Sequence, residues 1–186
     1  MRKLLIYIVV GVALVSPLSG SDFTVQLQRV GLQVPPPGLE SVDFDLENTR
    51  GETVSLSSLK GKIVFLNFWA TWCGPCREEM PSMQQLYEAY ADKGLEILAV
   101  NLMEDGQSVE RFARELSLTF PMLLDRQGRV GSIYGARAIP TTYLIDRDGY
   151  VIAGMTGSRN WFSREVRELF DSLLEPAELI ETPFAR

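Results

Sequence analysis

The 186-residue sequence contains no histidine and only two cysteines, Cys73 and Cys76. Without an imidazole, a Ser-His-Asp triad, a His general base, a His-ligated metal and a haem held by an axial His are all excluded. Basic residues are scarce as well. Eighteen Lys and Arg stand against 24 Asp and Glu, a formal charge of −6, so the chain is a poor partner for phosphate backbones and nucleic-acid binding is set aside. What remains is 46% hydrophobic, 10% aromatic and 23% charged, a foldable composition whose length fits one compact domain plus some extra chain.

The extra chain lies mainly at the front. Arg2-Lys3 followed by the apolar run 4–15 has the layout of a secretory signal. Leu18 is a poor match to a small-residue cleavage site, and the run is shorter than the ~20 residues that span a bilayer without strain. Residues 1–20 are therefore read as a signal peptide or a retained N-terminal membrane anchor, with the remainder outside the cytoplasm in both cases. Residues 21–39, with Pro35-Pro36-Pro37 and Gly38, read as a linker. The domain is expected over 40–176 and a C-terminal tail over 177–186.

Alternating stretches at 42–46 and 54–56 predict a β-hairpin, and the continuous apolar run 63–68 predicts a strand buried on both faces. Cys76, Met80, Met83, Tyr87 and Ala91 recur at helical spacing, predicting a helix over about 76–92. A strand at 95–102, a helix at about 108–116, a strand at 120–124 and a short helix at 130–134 follow. Segments 141–146 and 150–155 flank Asp148-Gly149, a hairpin signal, and a last helix is expected over 161–174. This order argues for a mixed α/β sheet with helices on both faces.

The chemistry is concentrated in Trp72-Cys73-Gly74-Pro75-Cys76. With a buried strand ending just before it and a helix beginning within it, Cys73 falls at the helix N-terminus and Cys76 about one turn in. Free N–H groups and the helix dipole favour a thiolate at Cys73, the attacking sulfur, and leave Cys76 as the resolving thiol. Pro75 fits the first turn, where its missing N–H has no partner to lose. A zinc site lacks the other ligands, and haem attachment fails because residue 77 is Arg. A purely structural disulfide closing four residues would contribute only ~1.9 kcal/mol, against ~3 for a fifteen-residue loop.

Together with Pro81 and Ile139-Pro140-Thr141-Thr142, this motif resembles the thioredoxin superfamily over about residues 40–175. The front hairpin and the additional helix and strand around 108–124 are similar to its exported TlpA/ResA branch of thiol-disulfide oxidoreductases. That resemblance implies a thioredoxin fold with a mixed central sheet, an N-terminal β-hairpin extension and a central α/β insertion. It also implies a redox-active Cys73–Cys76 disulfide, a cis Pro140 and a substrate groove formed by Trp72, Gly74, Pro75, Ile139 and Pro140. Glu79 matches the glutamate of the ResA-like group and would help deprotonate Cys76. Taken alone, Glu78 and Glu79 are acids favoured near a helix start, a reading kept for Glu78.

The implied partners are disulfide-containing proteins, apocytochrome c among them, and a membrane thiol-electron donor, with no metal or other cofactor. No His separates the cysteines and two glutamates lie close by, so the thiolate is only modestly stabilised and the protein is expected to reduce rather than oxidise. A thiol peroxidase on the same fold and a non-enzymatic binding or chaperone module remain alternatives. Gly157 suits close approach of a target backbone or a turn.

Overall fold

A computed structural model of the chain describes residues 20–175; the leader through residue 19 and the C-terminal tail lie outside them. Helix α1 (Gly20–Arg29) is followed by strands β1 (Asp45–Glu47), β2 (Thr53–Ser55) and β3 (Ile63–Trp69). Next come α2 (Gly74–Tyr90), β4 (Leu95–Leu102), α3 (Gly106–Glu115) and β5 (Met122–Asp125). The chain finishes with α4 (Arg129–Ile133), β6 (Thr141–Ile145), β7 (Val151–Thr156) and α5 (Arg164–Leu174).

β1 and β2 form the expected hairpin, and the other five strands form one mixed sheet in the order β5-β4-β3-β6-β7. β3 runs parallel to β4 and antiparallel to β6. Alternation along β3 divides the core. Ile63, Phe65 and Trp69 belong to the cluster that includes Cys76, Met80 and Met83 of α2 and Leu169 and Phe170 of α5. Val64, Leu66 and Phe68 belong to the opposite cluster, with Phe44, Leu56 and Val130. Asn67 shares the parity of Phe65 and Trp69 and is the polar residue on that face.

The linker reading of 21–39 needs correction. Its first part is helix, and Leu27, Val30 and Leu32 are buried in the same core as α2 and α5. The apolar spacing of this short helix is overshadowed in the sequence by the prolines that follow. Gln33 then exchanges both backbone hydrogen bonds with Gly154 of β7, and Val151 and Ser41 continue the contact through Leu39 and Gly149. At the other side of the sheet Asn48 bridges Leu123 of β5, and the Thr49 N–H donates to the Met122 carbonyl.

Helix starts also shift. α2 begins at Gly74 rather than Cys76 because Cys73 caps it, and α5 begins at Arg164 rather than Trp161 because Ser163 accepts from the Val166 N–H. Among the described residues, no helix is long and apolar enough to cross a membrane.

Candidate active site

The C-terminal end of β3 delivers Trp69 into the core, and the chain then turns through Ala70–Trp72 into α2. Glu104, just past β4, ties this turn down. Its carboxylate accepts from the Thr71 N–H at 2.7 Å, the Thr71 hydroxyl at 2.5 Å and the Asn101 amide at 2.6 Å. The Arg77 guanidinium donates to the Thr71 carbonyl at 3.2 Å and lies 4.9 Å from the centre of the Phe112 ring. The segment that presents Cys73 is thus held from both sides.

Cys73 and Cys76 are joined by a disulfide, with their Cα atoms 5.3 Å apart. Cys73 is the N-cap of α2, and the Cys76 N–H donates to its Sγ at 3.2 Å. That N–H would stabilise negative charge on Cys73 once the disulfide opens. Cys73 sits at the edge of the surface, 5% exposed, whereas Cys76 behind it is fully buried. Trp72 is 72% exposed, and Gly74 and Pro75 are exposed beside it.

Across from the pair, the Ile139–Pro140 bond is cis. The Ile139 carbonyl oxygen lies 3.7 Å from Cys73 Sγ, and Pro140 is buried behind a half-buried Ile139. Gly157 adopts φ +108 and donates its N–H to the Pro140 carbonyl at 2.8 Å, so a left-handed turn explains this glycine.

Glu79 is 1% exposed and points into the protein, while neighbouring Glu78 is exposed. Its carboxylate accepts from Asn67 Nδ2 at 3.0 Å, Trp161 Nε1 at 2.8 Å and the Arg159 backbone N–H at 3.4 Å. Burial pushes the carboxyl up from its ordinary 4.5 to about 7, against the opposing pull of the Trp161 and Asn67 hydrogen bonds and the Arg159 charge. Glu79 is three residues beyond Cys76 on one helix, a spacing that places both on neighbouring parts of its surface. None of the hydrogen bonds found among the described residues joins it to either sulfur. A surface pocket of about 450 Å³ reaches it, lined also by Glu78, Ser82, Gln85, Arg159 and Asn160.

Sequence reasoning missed Trp161, Arg159 and Glu104. Trp161 looks like one more apolar residue of the last helix, and only the rule that a buried indole N–H seeks an acceptor hints at a polar partner. Little in the sequence marks Glu104, because the partner that gives it its role, Thr71, lies 33 residues away.

A five-stranded mixed sheet with a cysteine pair capping the helix after its central strand defines a thioredoxin-fold thiol-disulfide oxidoreductase. Residues 37–153 match the AhpC/TSA family. The chain is 49% identical over 121 residues to the thiol-disulfide oxidoreductase ResA of Geobacillus kaustophilus, covering 65% of this chain and 70% of that one. With ResA of Halalkalibacterium halodurans it shares 42% identity over 139 residues, 75% of this chain and 77% of the relative. Among solved structures it is similar to StoA from Bacillus subtilis, with TM-score 0.59 and 30% identity over 70% of this chain and 96% of that chain. A thioredoxin-family thiol:disulfide interchange protein from Chlorobium tepidum gives TM-score 0.63 and 27% identity, covering 74% and 99%. The chain belongs to the ResA family of thiol-disulfide oxidoreductases.

Proposed function

We propose that the protein is an exported reductase of protein disulfides, working through Cys73 and Cys76, with Glu79 as the proton carrier. The observation that carries this reading is the ordering of the pair. Cys73 lies at the surface edge under a helix N-terminus and beside Ile139, and Cys76 is fully buried one turn behind it. Trp72, Gly74, Pro75, Ile139 and Pro140 form the groove in which a target segment docks.

Starting from the dithiol, the Cys73 thiolate attacks a target disulfide and one target sulfur leaves with its electron pair. The Cys76 thiol gives its proton to Glu79, and its thiolate attacks Cys73 Sγ. The second target thiolate departs and is reprotonated from Glu79. Two electrons have passed to the target, and a membrane thiol-electron donor returns them. In the absence of an imidazole, the buried carboxyl is the group near the pair suited to accept a proton around neutral pH.

Export is supported by Arg2-Lys3 and the apolar run 4–15, with residues 4–20 serving as a cleaved signal or as an anchor. Apocytochrome c thiols are one target class. The Cys76→Ser variant tests the reading directly, since the mixed disulfide on Cys73 can no longer be resolved and its partner can be identified. Exported proteins linked through Cys73 are expected; no covalent partner would overturn the reductase. The reduction potential is expected near or below thioredoxin's roughly −270 mV, and a value near DsbA's roughly −120 mV would reverse the direction. Deleting the gene should lower covalent haem in c-type cytochromes, and unchanged haem removes that target.

A further inference from the structure

A buried carboxyl that changes charge needs donors when ionised and an acceptor when neutral. The three groups bonded to Glu79 all donate N–H, a set suited to the carboxylate. For the acid it is incomplete, because an indole N–H and a backbone N–H cannot accept a hydrogen bond from the carboxyl O–H. Asn67 is the one partner that carries an acceptor beside its donor. Its Oδ1 is buried without a hydrogen-bond partner. Its Nδ2 also donates to Thr142 Oγ1 at 2.9 Å, the residue opposite it in the β3–β6 register. Turning the amide about its last torsion exchanges Nδ2 and Oδ1: the two Nδ2 bonds are given up for two accepted by Oδ1, none is lost on the Oδ1 side, and the amide N–H groups move to where Oδ1 stood unpaired.

We propose, resting on Glu79 as the proton carrier, that the Asn67 amide is a two-position switch that turns over whenever Glu79 gains or loses its proton. Nδ2 faces Glu79 Oε1 while the carboxylate is ionised. Oδ1 faces it, accepting the new O–H, while the acid is neutral. Thr142 follows, since a hydroxyl that accepts from Nδ2 can rotate and donate to Oδ1. The balance is a proton transfer alone: the Cys76 S–H bond breaks, the Glu79 O–H bond forms, and no electron moves. When the target thiolate takes the proton, the amide returns.

Asn67 is a positioning residue, because it acts on the sulfurs only through Glu79. The switch lets a nearly solvent-free carboxyl change charge without leaving its proton unpaired. Other titratable groups also face this site. Glu78 of α2 lines the same surface pocket, and Arg159 lies before α5, its guanidinium 5.3 Å from the Trp161 ring centre and influenced by Glu165; the Cys73–Cys76 disulfide carries no titratable thiol. From β3 and β6 the facing residues are Asn67 and Thr142, neither of which titrates.

The test is side-chain NMR of the whole oxidised protein, following the Glu79 carboxyl carbon and the Asn67 amide from pH 5 to 9. Both signals are expected to move with one midpoint, and proximity between the Asn67 amide protons and Thr142 should be lost below it. In Glu79→Gln the Asn67 signals should lose this pH dependence. Amide–Thr142 contacts that persist through the Glu79 titration would overturn the switch and leave the proton carrier standing. Asn67 signals that still titrate in Glu79→Gln would do the same. A Glu79 carboxyl that does not titrate over this range would overturn both.

Discussion

Trp161 and Glu79 meet across 82 positions of sequence, the indole Nε1 donating to Oε2 at 2.8 Å. The same ring stands edge-on to Phe65 of the central strand, with centroids 4.6 Å apart. One side chain therefore fills the core and holds a charge near the redox pair. Replacing it by Phe keeps most of the packing and removes the N–H. The bond favours the ionised carboxyl, so Trp161→Phe should raise the Glu79 midpoint above about 7, by roughly one unit. Carboxyl-carbon NMR of the variant measures the shift, and an unmoved midpoint would show the bond to be idle.

Glu79 should make stability fall as pH rises. Between about 4.5 and about 7 the folded chain keeps a proton that the unfolded chain has lost, so the folded state is penalised increasingly across that window. Below it both states are protonated and the penalty is absent; above it both are ionised and the penalty is constant, at most about 3 kcal/mol. Glu79→Gln cannot ionise. Urea unfolding of the oxidised forms should show the variant gaining on the natural protein between pH 4.5 and 8. A constant difference would mean that the folded and unfolded carboxyls titrate alike.

Leu27 separates a tether from a structural helix. It is fully buried in the main core, so Leu27→Ala should cost about 2–5 kcal/mol in denaturant unfolding. A cost near zero would return this stretch to the status of a linker.

Glu104 should hold the redox loop in place. Glu104→Ala leaves the Thr71 N–H and the Asn101 amide without their acceptor, a loss of about 1–3 kcal/mol. Amide exchange at Thr71 should quicken, and the rate of target reduction should fall in kcat more than in KM. Unchanged exchange at Thr71 would show that the loop is fixed by other contacts.

Most strands and helices were legible because each carries its own period: the two-sided apolar run of β3, the helical spacing of Met80 and Met83, the Asp148-Gly149 turn. The cysteine pair was legible because the chain has no other thiol and no imidazole. Long-range partners were not. Nothing near Asn67 announces that Thr142 and Glu79 converge on it, since that meeting depends on strand order and register. The α1 helix was missed for a related reason, because its apolar face has meaning only once α5 and β7 are in place.

Both outer strands of the sheet carry backbone from the chain that precedes β3: residues 33–41 lie along β7, and Asn48 and Thr49 meet β5. A protein that acts on the disulfides of other proteins meets client chains, and an open outer strand invites stray strand addition. Here the early chain occupies positions where a client could add as a sixth strand. Under the proposed function, a client's main chain is left the groove beside Pro140, where docking places a disulfide against Cys73 instead of extending the sheet.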